Sequence, residues 1–326
     1  MTSNTILQRR TLLASGTATL LSAPAIGRAQ GSFPSRPIRM LIPVGVAGVT
    51  DVVGRIMAES MQAILGQPIV PENLAGAGSR VGAASFHRQP NDGYTIFIGT
   101  NNHPVMQAID PTFAHHPVND FDPIALVGRQ PFVLAVHPDV PATDLPGLID
   151  WLRAQGDRAN FGTAAPGATN YMAGVLFQKM SNTNFTLVPY RTAAQAVADL
   201  LAGRMQLSID SPTMLMPMIA DKRLRAIGVT SVEASSLAPD LPPISSALPG
   251  YALTAWQVLF LRPGAPEEAK RVLTQAAAAA LRDPAVQARL RGADVEVWPD
   301  SSPAAAASHV AREVETWAPI AAEIPR

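Results

Sequence analysis

The chain has 326 residues, 47% of them hydrophobic, and Lys+Arg and Asp+Glu both stand at 25, so the net charge is zero. A nucleic-acid binder would carry a basic surplus, and there is none. Cysteine is absent, which excludes thiol catalysis and cysteine-based metal sites, while the length and apolar content suit two domains with separate cores.

The N-terminus reads as a leader. Arg9-Arg10 close a short polar segment, an apolar stretch follows over residues 11–25 (TLLASGTATLLSAPA), and Gly27-Arg28-Ala29 forms a small-x-small cleavage site. That order of charge, apolar run and small residues is a secretory signal peptide over residues 1–29, with an exported chain starting near Gln30. The run is too short and too rich in Ala, Ser and Thr to span a bilayer, and no later stretch is long enough. The arginine pair before Thr11-Leu12-Leu13 points to the Tat route, although Sec leaders carry such pairs too.

Strand and helix patterns then alternate. Residues 38–44 (IRMLIPV) form an apolar run ending in a glycine-bearing turn, and residues 50–65 carry helical spacing through Val52, Val53, Ile56, Met57, Met61 and Ile64. A short strand at 69–70, a helix at 81–89 and strands at 95–99, 124–127 and 132–136 follow. Helices at 145–155, 170–180, 193–202 and 212–220 alternate with strands at 160–162, 186–189, 207–209 and 226–229. Residues 232–250 are rich in Pro and Ser and read as an irregular connection. A strand at 258–261, helices at 266–282 and 284–291, a strand at 295–297 and a helix at 303–320 complete the chain. Such alternation argues for an α/β fold with parallel sheets covered by helices.

Parallel sheets place ligands at the carboxyl ends of their strands, beside helix N-termini whose free N–H groups and partial positive charge hold anions. Three strand-to-helix turns fit. They are Pro43-Val44-Gly45-Val46-Ala47-Gly48-Val49-Thr50-Asp51, Thr163-Ala164-Ala165-Pro166-Gly167-Ala168-Thr169-Asn170, and Asp210-Ser211-Pro212-Thr213. A glycine-bearing turn is more often only a turn. Asp210 would either cap the helix after it or face the ligand, where it would welcome an amine, amide or hydroxyl and repel a second carboxylate.

Other clusters are weaker. His115-His116 with Asp120 and Asp122 has no metal-ligand spacing and reads as a surface loop, and His103 stands where it could line a cleft. Residues 76–82 (GAGSRVG) approach a dinucleotide loop, but the spacing is one residue long and no strand runs directly into it. The alternation of Met214, Met216 and Met218 reads as packing at a helix edge. Arg191 reads as a solvated surface arginine that could also pair with an anionic ligand. No catalytic acid–base pair and no cofactor can be assembled from spacing, so an enzyme is the weaker reading.

The first turn resembles the loop P-F-P-x-G-G-x-T-D of the Bug family, the receptors of tripartite tricarboxylate transporters. The likeness continues through Pro37-Ile38-Arg39, Gly66-Gln67-Pro68, Glu72-Asn73, Gly76-Ala77-Gly78 and Asp92-Gly93-Tyr94-Thr95. It runs on through Asp120-Phe121, Val188-Pro189-Tyr190, Leu200-Leu201-Ala202-Gly203, Leu224-Arg225-Ala226, Trp256 and Trp317-Ala318-Pro319. The resemblance implies a two-lobed, type II periplasmic-binding-protein (Venus flytrap) fold with a central, mainly parallel sheet in each lobe. Lobe 1 would take residues 30–132 and 257–326, lobe 2 residues 133–256, with crossovers near 132–137 and 251–258. It implies a monomeric periplasmic protein that closes around a small carboxylate-bearing solute and needs no cofactor. The partner would be the membrane permease, or a sensor kinase if the receptor signals instead.

Carried over by position, the first-lobe contacts are Val44, Gly45, Val46, Gly48 and Thr50, with Thr100 and Asn102. The facing contacts are Gly167, Ala168 and Thr169, with Asp210. The chain departs from the family pattern at this site. Val44 stands for an aromatic, Gly45 for proline, Ala47 for glycine and Ala168 for threonine, and Tyr171 and Val175 stand for a histidine and a glutamate. These changes predict a ligand other than the usual family substrates, or one held by other side chains.

Overall fold

The computed structural model describes residues 33–322 apart from 47 and 165–167, and the leader expected over residues 1–29 lies outside them. The chain opens with β1 (Ile38–Ile42), α1 (Val49–Leu65), β2 (Ile69–Asn73), α2 (Arg80–His87), β3 (Thr95–Gly99) and a short α3 (Met106–Ile109). β4 (Asp122–Pro131) is followed directly by β5 (Val133–Val136), α4 (Leu145–Gln155), β6 (Asn160–Thr163) and α5 (Thr169–Ser181). Then come β7 (Thr186–Pro189), α6 (Ala193–Leu201), β8 (Leu207–Asp210), α7 (Pro212–Ala220) and β9 (Arg225–Val229). β10 (Thr254–Leu261), α8 (Glu267–Arg282), α9 (Pro284–Arg291), β11 (Glu296–Val297) and α10 (Pro303–Ala322) end it. Among the described residues no helix is long and apolar enough to cross a membrane.

Two sheets form, in the orders β11-β4-β10-β3-β1-β2 and β7-β6-β8-β5-β9. β1 lies parallel to β2 and β3, and β6 parallel to β7 and β8. The remaining pairings are antiparallel, so both sheets are mixed. The antiparallel members include the strands through which the chain passes from one sheet to the other, from β4 into β5 and from β9 to β10. These two crossings are tied together. The Phe132 N–H donates to Thr230 Oγ1 at 2.8 Å, and the Thr230 N–H donates to the Phe132 carbonyl at 3.0 Å.

Each sheet is apolar on both faces. Val53, Ile56, Met57 and Met61 of α1 join Leu273 and Ala277 of α8 on one face of the first sheet, and Phe86, Phe97, Trp256 and Val310 fill the other. Leu134, Phe161, Phe177 and Tyr251 pack on one face of the second sheet, with Val133, Leu200 and Leu215 on the other. Each such side chain removed from water contributes about 1.5–3 kcal/mol. Gly54 lets α1 lie against β1, since a Cβ there would come within 2.7 Å of Ile42 Cδ1. Gly66 ends α1 in the left-handed region (φ 67°), its N–H bonded to the Gln62 carbonyl. α10 packs Ala306 and Val310 against the first sheet, whereas its Trp317 and Ile320 lie in the core of the second.

The structure extends β2, expected only at 69–70, to Asn73, and lengthens two further strands. β4 covers the expected strand at 124–127 but runs to Pro131, and β10 begins at Thr254 rather than at 258. Polar residues interrupt the apolar pattern at Arg129-Gln130 and Gln257. The strands continue because they pair with each other from Thr254–Pro131 to Leu261–Asp122. The short α3 has no counterpart in the periodicity, since its four residues are too few for a helical period.

Candidate functional site

The loop after β1 enters α1 at Gly48, which is extended (φ −75°) and has no side chain to cap the helix. α5 starts in the same way at Ala168 (φ −69°), again uncapped. Asp144, Thr192 and Asp283 cap α4, α6 and α9 by accepting first-turn N–H groups, whereas α2, α7 and α8 also start without a side-chain cap. The small residues at Gly48 and Ala168 therefore leave two positively polarised helix ends open to an anion.

Both ends meet in one cavity of about 220 Å³. Val44, Gly48, Val49 and Thr50 line it from the first loop and α1, and Thr169 from α5. Thr100, Asn101 and Asn102 add the turn after β3, and Gln130, Ala255 and Gln257 the crossing strands. The volume is below the roughly 300–1,000 Å³ of pockets for drug-sized molecules, so it suits a small metabolite. None of the lining side chains is charged. An anion here would be held by helix ends, backbone N–H groups, hydroxyls and amides.

The acid beside the site is buried and is not part of the lining. Asp51 is 2% exposed, and its carboxylate accepts from Arg55 Nε at 3.0 and 3.1 Å and from Asn73 Nδ2 at 2.9 Å. Those bonds raise the Arg55 pKa above its ordinary value. Asn73 Nδ2 also donates to the Val44 carbonyl at 3.1 Å, and Asn73 Oδ1 accepts from Arg55 Nη2 at 2.9 Å. Asn73 thus fastens the first loop to the start of α1.

Of the residues expected from the sequence, Val44, Gly48, Thr50, Thr100, Asn102 and Thr169 come together around the cavity. Gly45 and Val46 are exposed on the loop, with Val46 71% accessible. Ala168 is the N-cap residue immediately before Thr169. Gly167 and Ala47 lie outside the described residues. Asp210 is buried at the end of β8 and is not part of the lining. Its Oδ1 accepts the Ser211 N–H at 2.8 Å and its Oδ2 accepts from Asn170 Nδ2 at 3.0 Å. Burial raises its pKa, against the lowering effect of those two bonds.

Sequence reasoning missed Val49, Asn101, Gln130, Ala255 and Gln257. Gln257 stands alone as a polar residue between Trp256 and Val258, whereas Gln130 follows Arg129 and gives no such signal. His103 is not a cleft residue but is buried, stacked on Phe260 at 4.8 Å between centroids and bonded through Nε2 to the Pro117 carbonyl at 2.7 Å. Burial lowers its pKa to about 4. His115 stacks on His87 at 3.7 Å, and no metal-holding group of side chains occurs among the described residues. Arg191 is exposed beside Tyr190, apart from the cavity. A larger hollow of about 420 Å³ lies beside β11. Two of its charged lining groups, Arg129 and Glu296, are paired with each other at 3.1 Å, and neither uncapped helix end reaches it.

Comparisons with known proteins give the family of the chain. The family described as "Tripartite tricarboxylate transporter family receptor" matches residues 53–325. The UPF0065 protein in the TAR-I ttuE-ttuC' intergenic region of Agrobacterium vitis is 32% identical over 94% of this chain and 89% of its own length. Protein BugT of Bordetella pertussis is 27% identical over 90% of both chains. Among solved structures, R. palustris Rpa4515 with adipate superposes with a TM-score of 0.73 at 28% identity, over 89% of this chain and 98% of that one. MatC from Rhodopseudomonas palustris with bound malate does so with a TM-score of 0.71 at 28% identity, over 89% and 100%. The chain belongs to the receptor family of the tripartite tricarboxylate transporters, the family of the Bug proteins.

Proposed function

We propose that this protein is exported to the periplasm, captures a small carboxylate-bearing solute there and delivers it to the membrane permease of a tripartite tricarboxylate transporter. The observation that carries this reading is the meeting of two uncapped helix ends, at Gly48–Val49 and Ala168–Thr169, in one cavity without a charged side chain. Such an arrangement favours an anion through fixed dipoles and N–H groups. The adipate and malate bound to its two structural relatives are acids of the same class.

In this reading the ligand's carboxylate lies between the first loop, with Gly45 and Val46 at its rim, and the turn at Ala168-Thr169. Asp210 supports that turn through Asn170. Residues 30–132 with 257–326 and residues 133–256 act as two lobes, and contacts from both sides favour the closed state. Small-angle scattering should show compaction at saturating ligand, and an unchanged radius would remove the closure step.

The deciding experiment is a thermal-shift screen. The protein, refolded to strip carried-over ligand, is tested against mono-, di- and tricarboxylates and their amides. A ligand at ~100 times its Kd adds about 2.7 kcal/mol of stability, a readable shift. A panel in which no acid shifts the transition would sink the carboxylate reading.

A further inference from the structure

Two side chains on the floor of the cavity are left idle by the reading above. Gln130 on β4 and Gln257 on β10 are 4% and 1% exposed. Yet Gln130 Nε2 and Gln257 Oε1, both covered from solvent, have no hydrogen-bond partner among the described residues. A buried amide group left unmet is uncommon and unfavourable, so each such case calls for an explanation.

The strand register shows where they point. Gln130 lies opposite Ala255, and Gln257 is two residues further along the same strand. Side chains alternate across a strand, so Gln130, Ala255 and Gln257 share one face. All three line the cavity. Trp256, between Ala255 and Gln257, projects to the opposite face, where its Nε1 donates to Glu313 Oε2 at 2.8 Å. Neighbouring Asn101 provides a contrast, because both ends of its amide are bonded within the protein. Diagonal partners on a sheet stand about 7–8 Å apart at the backbone, near enough for both side chains to reach one ligand group.

We infer that Gln130 and Gln257 form a specificity pair for a neutral polar group of the ligand, Gln130 Nε2 donating to it and Gln257 Oε1 accepting from it. A carboxylate accepts only, so it would leave Gln257 Oε1 unmet and facing its own lone pairs. A hydroxyl or a primary carboxamide both donates and accepts. The substrate class is therefore a small acid with a carboxylate at the helix ends and a hydroxyl or carboxamide at the glutamines. This assignment rests on the carboxylate-receptor reading and narrows it.

The test is calorimetric titration of the refolded protein with butyrate, 4-hydroxybutyrate, succinamate and succinate, together with the homologues one carbon shorter and longer. At the chain length that binds best, the hydroxy acid or the amide should bind at least about tenfold more tightly than the acids ending in methyl or carboxylate. The hydroxyl and amide arms tell the two sources of this chemistry apart. In Gln130→Leu and Gln257→Leu, checked for folding by near-UV circular dichroism, that advantage should shrink to about threefold or less while the methyl-ended acid still binds. Equal binding of all four end groups by the unaltered protein overturns the pair without touching the receptor reading. So does an advantage that survives both substitutions. If a leucine variant does not fold, the comparison of end groups on the unaltered protein still decides. Absence of binding by every acid overturns the receptor reading and this inference with it.

Discussion

Asn101 clasps the backbone of β10 on both sides of Ala255: its Nδ2 donates to the Thr254 carbonyl at 2.7 Å, and its Oδ1 accepts the Trp256 N–H at 2.9 Å. One side chain thereby joins the turn after β3, which walls the cavity, to the strand that carries the chain back from the second sheet. Asn101→Ala leaves a carbonyl and an N–H without those partners. It should lower stability by about 1–3 kcal/mol, read from urea midpoints. Affinity should fall as well, because Ala255 and Gln257 lose their fixed position. Asn101→Asp keeps the acceptor for Trp256 but sets a carboxylate against the Thr254 carbonyl and a negative charge in the cavity, so it should weaken binding of an acid at least as much as alanine.

Asn73 acts on the opposite wall. Its amide bonds the Val44 carbonyl, Asp51 and Arg55. Asn73→Ala should loosen the first loop and weaken ligand binding by roughly tenfold. The thermal transition of the ligand-free protein should move less than that of the saturated one, since the site is lost faster than the core.

Gly48 separates steric from conformational roles. Its φ of −75° is open to any residue. A Cβ there would meet only the Gly45 carbonyl oxygen, at 3.8 Å. Gly48→Ala should therefore leave the ligand-free protein as stable, or raise its stability by about 0.4–1 kcal/mol through the unfolded chain. The methyl group would occupy ligand space, so binding in the thermal-shift screen should drop. Loss of both stability and binding would mean that Gly48 serves the loop rather than the ligand.

Glu313 lies behind the crossing strand, bonded to Trp256, and burial pushes its carboxyl up to about 7. A carboxyl raised on folding favours the native state fully below its unfolded value, and that contribution is lost as the pH rises through 7. Glu313→Gln mimics the protonated form. It should exceed the parent in stability by roughly 2–4 kcal/mol at pH 8 and match it near pH 4.5, judged by denaturant midpoints at both values. A constant difference across that range would exclude a titrating role for Glu313.

Much of the fold was legible locally. The apolar run of β1, the helical spacing of α1 and the Pro-led start of α7 each carry their structure in a few adjacent residues, whereas the loop around Gly48 is locally no more than a glycine-bearing turn and only the resemblance to the Bug loop singles it out. Of the second turn, Thr169 lines the cavity. Asp210 could be read two ways because the sequence does not show its partners. Its bonds to Ser211 and Asn170 make it a support of the site rather than part of the lining.

The sequence by itself determined the order of strands and helices, the two small-residue helix starts and the family, since each depends on local periodicity or on short ordered motifs. Tertiary structure alone decided that α10 reaches both cores and that Asn101 grips a strand more than a hundred and fifty residues away in the chain. It alone decided too that Gln130 and Gln257 share the cavity floor. Their placement comes from the pairing of β4 with β10, whose register is set by contacts between distant segments. No local pattern carries that information, because a polar residue in an apolar strand looks the same whether its face is later covered by protein or left for a ligand.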